Sequence, residues 1–87
     1  MKIVATLLQG QEPAEKIQLL LSLTNISSED HISALHAHFV RGMPRVNCCQ
    51  VYDISEGNFK RTIDRINNVW STVVTINHLG KPSDATN

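Results

Sequence analysis

Residues 45–65 read RVNCCQVYDISEGNFKRTIDR, and their spacing predicts two short helices joined by a tight turn at Asp53, a helix-turn-helix. Cys48 and Tyr52 form an apolar stripe on the first helix, with Cys49 as the small residue over which the second helix crosses closely. After the turn, Ile54, Phe59 and Ile63 supply the opposing stripe. Ser55 is a good N-cap, so the second helix is expected to begin at Glu56. On a 3.6-residue period Phe59, Ile63 and Ile66 point inward, while Gly57, Lys60, Arg61, Asp64 and Asn68 share the opposite face, flanked by Asn58 and Arg65. A helix that hides one stripe and offers amides and guanidinium groups on the other meets what the major groove of DNA requires of a recognition helix. Gly57 lets its start approach a phosphate. The turn position usually holds glycine because it adopts a left-handed backbone, and Asp53 is tolerated there at a modest cost.

Outward from this stretch, 87 residues with 41% hydrophobic content make one small domain, near the lower limit of what buries a core unaided. Help from a partner subunit fits that size. Eight cations balance eight acids, but unevenly. Residues 1–40 hold two cations against four acids, and residues 41–87 hold six against four. The basic excess lies in the motif half. It is small for a nucleic-acid binder, so several subunits acting together are expected to add phosphate contacts.

In chain order, residues 1–11 lack a clear period and are read as a flexible N-terminal arm, or an added strand. Pro13 opens a helix, with Glu12 and Glu15 at its positive end. Ile17, Leu20, Leu21 and Thr24 make its inner face, and Leu19 and Leu23 widen the apolar surface beyond one stripe. Ser27 with Asp30 resembles a capping box for a helix running to Arg41 and stopped by Gly42, with Ile32, Leu35 and Phe39 inside. Beyond Arg65, Phe59, Ile63, Ile66, Trp70, Val73 and Asn77 alternate at spacings of four and three, which predicts that the helix continues and packs along its whole length. The run VVTI (Val73–Ile76) is β-prone by composition, but the seam favours helix. Val69, Val73, Val74 and Ile76 exceed the needs of one small core. Residues 80–87 read as a disordered tail. The expected fold is thus all-α: a small helical bundle over residues 12–79, containing a helix-turn-helix at about 45–66 and a long C-terminal helix.

Catalytic and metal chemistry find no footing. The four histidines contain no pair at one-turn helical spacing, so they read as surface or boundary residues and no metal is expected. Cys48 and Cys49 are adjacent, which rules out an unstrained bridge between them and suits reduced core thiols in a cytosolic protein. No histidine lies near them and no oxyanion loop follows. No phosphate-binding loop, CxxC or HExxH is present, so neither a cofactor nor a small-molecule substrate is expected. The run Ile3–Leu8 is too short for a signal peptide, and no run reaches membrane-spanning length.

The stretches LLSLTNISSEDHISALHAHFVRG and RVNCCQVYDISEGNF resemble the PapB family of adhesin biosynthesis regulators. Its members tend to show an Arg, a Cys four residues later, an aromatic, and then a glycine-aromatic-Phe segment, matched here by Arg45, Cys49, Tyr52, Gly57 and Phe59. The likeness covers about Ile17 to Leu79 without gaps. It implies an all-helical regulator that oligomerises on AT-rich repeats near fimbrial promoters, in some members through the minor groove. It also makes Arg45 a DNA contact and Cys49 its structural support. Three features depart from the family: Pro44 stands where a Ser is usual, Glu56 and Asn58 where Asn and Tyr are usual, and the N-terminal arm is shorter. Glu56 sets a negative charge beside the proposed phosphate contact.

The expected function is therefore sequence-specific, cooperative DNA binding by a transcription regulator of a fimbrial operon. Arg45, Gly57, Asn58, Lys60, Arg61 and Arg65 form its contact set, double-stranded AT-rich DNA and a second copy of the chain are its partners, and it is cytoplasmic and nucleoid-associated. The rival expectation is a helical protein-interaction module, or an antagonist that pairs with another regulator without touching DNA. It rests on the apolar surplus at Leu19, Leu23 and residues 69–76.

Overall fold

The structure, a computed structural model, describes residues 2–80; of the tail expected over residues 80–87, all but Gly80 lies outside them. Among the described residues the order is α1 (Ala14–Leu21), α2 (Glu29–Phe39), α3 (Arg45–Val51) and α4 (Glu56–Leu79), with no strand. The all-α bundle with a helix-turn-helix and a long last helix is as expected.

Each helix start has a local cause. Pro13 precedes α1 in extended backbone, which suits a residue without an amide to donate. Ser28, not Ser27, caps α2 by accepting from the His31 amide, so the N-cap lies one residue later than predicted. Helix α2 also stops earlier than Arg41. The Val40 and Arg41 amides both turn onto the His36 carbonyl, and Gly42 takes a left-handed φ of 81°. Ser55 caps α4 as predicted, accepting from the Asn58 amide at 3.2 Å. The VVTI segment stays helical because it lies inside the 24-residue α4, where burial on one face overrides strand propensity.

The core gathers Ile17, Leu20 and Leu21 from α1, Ala34, Leu35, Ala37 and Phe39 from α2, Cys48 from α3, and Phe59, Ile63 and Ile66 from α4. His38 belongs to it as well, deeper than the surface or boundary position expected of the histidines. Its Nδ1–H donates to the Met43 carbonyl at 2.8 Å, and its ring meets Phe39 and Phe59 edge-on at centroid distances of 4.8 and 6.1 Å. A satisfied N–H is what lets an imidazole sit there. The α4 seam is buried only as far as Ile66. Trp70 and Val73 are half-buried and Asn77 is exposed, so the expectation of packing along the whole helix is corrected.

The arm is the largest departure. Residues 2–8, expected to be flexible, lie extended along α4 in the opposite direction. The amides of Ile3, Ala5 and Leu7 donate to Thr75 Oγ1 (2.8 Å), Ser71 Oγ (2.9 Å) and Asn67 Oδ1 (2.8 Å). The Ser71 hydroxyl donates back to the Ala5 carbonyl at 2.9 Å, whereas that of Thr75 donates to the Ser71 carbonyl of its own helix at 2.8 Å and lies 3.5 Å from the Ile3 carbonyl. Leu7 is buried in the core, and Val4 stands outside at 86% exposure. The arm then turns at Gly10, whose amide donates to the His38 carbonyl at 3.1 Å while Glu12 donates to Phe39 at 3.0 Å. A Cβ at Gly10 would lie 3.0 Å from the Gly42 Cα, and φ is +69°, so both backbone geometry and contact demand glycine.

Candidate nucleic-acid interface

The turn between α3 and α4 sets the interface. Asp53 has φ of 54°, so it occupies the left-handed position that the sequence assigned to it. The Ile54 amide reaches back to the Cys49 carbonyl at 2.9 Å, the bond that closes a helix around a left-handed residue. Ile54 is thereby driven into the core beside Phe59 and Ile63. The first helix seats itself differently from the prediction. Cys48 is the fully buried small residue, its Sγ 3.6 Å from the Ala34 carbonyl and 3.7 Å from that of Met43, and Cys49 is half-buried on the side facing α4. Burial, and then the neighbouring Cys49, push the Cys48 thiol up against the opposing pull of Arg41. Cys48 is therefore a packing residue rather than a nucleophile. Tyr52 is half-buried, and its hydroxyl accepts from Arg41 Nη2 at 3.3 Å.

Two groups of predicted residues come together. Arg45, Glu56, Gly57 and Lys60 border a cleft of about 200 Å³ between α3 and α4, floored by Val46, Cys49 and Phe59. Gly57 is exposed, and a side chain there would meet nothing within 4 Å. Internal packing thus gives no reason for glycine. Lys60 is exposed but paired with Asp64 at 2.9 Å, an exposed i,i+4 pair of small worth. Beside it, Arg61 donates to the side chain of Asn58 three residues earlier, so the amide and the guanidinium are held as a unit.

Arg65 stands apart from both. It borders a shallow recess with Ser27, Ser28, His31 and Thr62 at the start of α2. There His31 Nδ1 lies 2.7 Å from Thr62 Oγ1, and the Thr62 hydroxyl donates to the Asn58 carbonyl at 3.1 Å. The outer face of α4 from Gly57 to Arg65 therefore carries every predicted contact except Arg45, which joins it across the cleft. Sequence reading did not single out Arg41, an exposed cation near the start of α3 whose Nη2 donates to the Tyr52 hydroxyl. Its contact with Tyr52 spans the α2–α3 corner, which no periodicity reports. Among the described residues no cluster of three or more metal-ligating side chains occurs, and no helix is long and apolar enough to cross a membrane.

Comparison with curated proteins found no match. Among solved structures, the crystal structure of E. coli FocB is similar, with a TM-score of 0.80 and 25% sequence identity over 87% of this chain and 86% of that one. The family described as "Adhesin biosynthesis transcription regulatory protein" matches residues 2–79, taking in the arm that clamps α4 as well as the four helices. Its members regulate transcription and are not enzymes. On that match the chain belongs to the PapB family of adhesin biosynthesis transcription regulators.

Proposed function

We propose that this regulator acts by binding double-stranded DNA at AT-rich repeats near a fimbrial promoter, cooperatively and as an oligomer, in the cytoplasm at the nucleoid. The observation that carries the reading is the outer face of α4. Gly57, Asn58, Lys60, Arg61 and Arg65 are all exposed on a helix whose other side is fixed by Phe59, Ile63 and Ile66. Arg45 reaches the same face from the head of α3. Such a constellation supplies cations to phosphates and planar groups to a groove at no cost to the core.

The test is a salt titration of duplex binding. Four cations per subunit, each neutralising a phosphate, give a slope of log affinity against log salt of about −3.6. Lys60 must first leave Asp64, which moves the slope toward about −3. A flat salt dependence sinks the proposal. The protein-interaction reading draws on a different surface, the exposed Leu19 and Leu23. Replacing Arg45 and Arg61 by Ala separates the two, because a DNA reader loses duplex binding while an adaptor keeps its partner.

A further inference from the structure

The recess between the start of α2 and the middle of α4 holds a histidine whose hydrogen bonds fix which nitrogen carries the proton. Thr62 has one hydroxyl proton, and it goes to the Asn58 carbonyl at 3.1 Å. Toward His31 Nδ1, 2.7 Å away, the Thr62 oxygen can therefore only accept, so Nδ1 is the protonated nitrogen. Thr62 is buried and His31 half-buried, which holds the ring in place. Nε2 is left for the recess. It is an acceptor while the ring is neutral and a charged donor once the ring is protonated.

We infer that this recess, of about 240 Å³, seats one phosphate of the DNA backbone between Arg65 and His31, and that His31 joins the contact only when protonated, so that duplex affinity rises on acidification. The inference deepens the DNA-binding reading and rests on it for the duplex.

The lining supplies donors and one standing charge. Arg65 takes part in neither ion pair found among the described residues, whereas Lys60 is tied to Asp64 and Arg61 to Asn58. Ser28 accepts from the His31 amide at a long 3.5 Å, which leaves its O–H to donate, and Ser27 stands exposed beside it. No carboxylate lines the recess. Glu29 and Asp30, exposed in the opening turn of α2, offset the amides of that turn. The connection of residues 22–28 brings no titratable group. Attraction for an anion thus falls to Arg65 alone until His31 gains its charge.

Placement selects the backbone as the source of the anion. Lys60 and Arg65, five residues apart on α4, stand about 140° apart around the helix, with Gly57 and Arg61 on the face between them. The Arg45–Lys60 cleft lies on one flank of that face and the recess on the other. A helix seated in a groove has a sugar–phosphate strand along each flank, so the two depressions meet the two strands.

Duplex binding by the full chain, measured across salt from about pH 8 to about pH 6 with the helical spectrum recorded throughout, tests the inference. Wild type is expected to bind on the order of five-fold tighter at the acid end, with a slope of log affinity against log salt steeper by about 0.9 for one added phosphate contact. His31→Gln is expected to lose both changes, and His78→Gln, at the far end of α4, to keep them. Imidazole nitrogen resonances give a readout on the unaltered chain. Free His31 is expected as the Nδ1–H tautomer, and its titration is expected to move to higher pH when duplex is added. Salt-dependent binding that is flat in pH, a His31→Gln chain that keeps the pH effect, or an Nε2–H tautomer overturns the inference and spares the DNA reading. A flat salt dependence at both ends of the range removes the DNA reading and the inference with it. Inorganic phosphate alone, at matched ionic strength, is expected to leave the His31 titration where it was; the same shift with phosphate as with duplex assigns the recess to a free anion and overturns its place in the DNA contact.

Discussion

Asp53 holds a left-handed backbone that asparagine or glycine would hold more cheaply, and its neighbours leave it no alternative, because the Ile54 amide must reach Cys49. Asp53→Ala is expected to lose about 1 kcal/mol in urea unfolding, and Asp53→Gly to be neutral or slightly stabilising. Gly57 poses the opposite case. Nothing surrounds it, so Gly57→Ala should gain a few tenths to ~1 kcal/mol of stability. If the bare backbone faces a phosphate, the same change should weaken duplex binding. A stabilised variant that binds as well as wild type counts against Gly57 as a contact. Two titratable groups act in one direction on acidification. Burial, helped by Arg41, holds His36 below its ordinary value. Burial would raise Glu12, but hydrogen bonds from Lys16 and the Leu8 amide, with the Lys16 charge, outweigh it and hold the carboxyl low. Both folded values are depressed, so each contributes stability above its unfolded value that is lost as pH falls through the folded one. Denaturation midpoints should therefore decline in two stages, first below the ordinary histidine range and then below that of glutamate. His36→Gln should remove the first stage alone.

At the scale of elements, the arm on α4 makes its own forecast. Ser71→Ala and Thr75→Val remove hydroxyls that hold the Ala5 and Ile3 amides, at about 1 kcal/mol each. Hydrogen exchange should speed up at those arm amides while α4 amides keep their protection; uniform acceleration would mean that the clamp is part of the global fold. The helices themselves were legible in the chain. Ser55, Pro13 and the four-three spacing of Phe59, Ile63 and Ile66 locate α1 and α4 because caps and stripes act over a few residues. The arm was not. Its alternation of Ile3, Ala5 and Leu7 against Val4 and Thr6 is a strand pattern, yet its partner is a row of helix side chains sixty or more residues away. No local rule links Asn67, Ser71 and Thr75 to it. For the same reason the adjacent cysteines exchanged roles, since which thiol lies under α2 depends on a crossing angle rather than on spacing.

Across the whole molecule, the charge ledger is neutral, and binding must come from placement. Five cations, Arg41, Arg45, Lys60, Arg61 and Arg65, are exposed around α3 and the first half of α4, opposed locally by Asp53, Glu56 and Asp64. Glu56 borders the cleft with Arg45 and Lys60. Glu56→Gln is therefore expected to raise duplex affinity severalfold at low salt, with the gain shrinking as salt rises. No gain at low salt would place the cleft away from the phosphates. The candidate interface was readable as a face because Gly57 to Arg65 share one helix. Its division into a cleft, an Asn58–Arg61 unit and a separate Arg65 recess was not, because it depends on where α2 and α3 abut α4.

The strap of residues 3 to 7 also limits its own reach. Two residues of extended chain advance about 6.6 Å, while four residues of helix advance about 6.0 Å. The two rulers slip by roughly half an ångström per rung, absorbed here by a long amide at one end, a short hydroxyl in the middle and, at the other, a Thr75 hydroxyl that accepts from the Ile3 amide but donates within its own helix. A fourth rung would fall at Leu79, which has neither donor nor acceptor in its side chain. Residues fused ahead of Lys2 thus find nothing to grip, and an affinity tag placed there should leave the melting curve where it was.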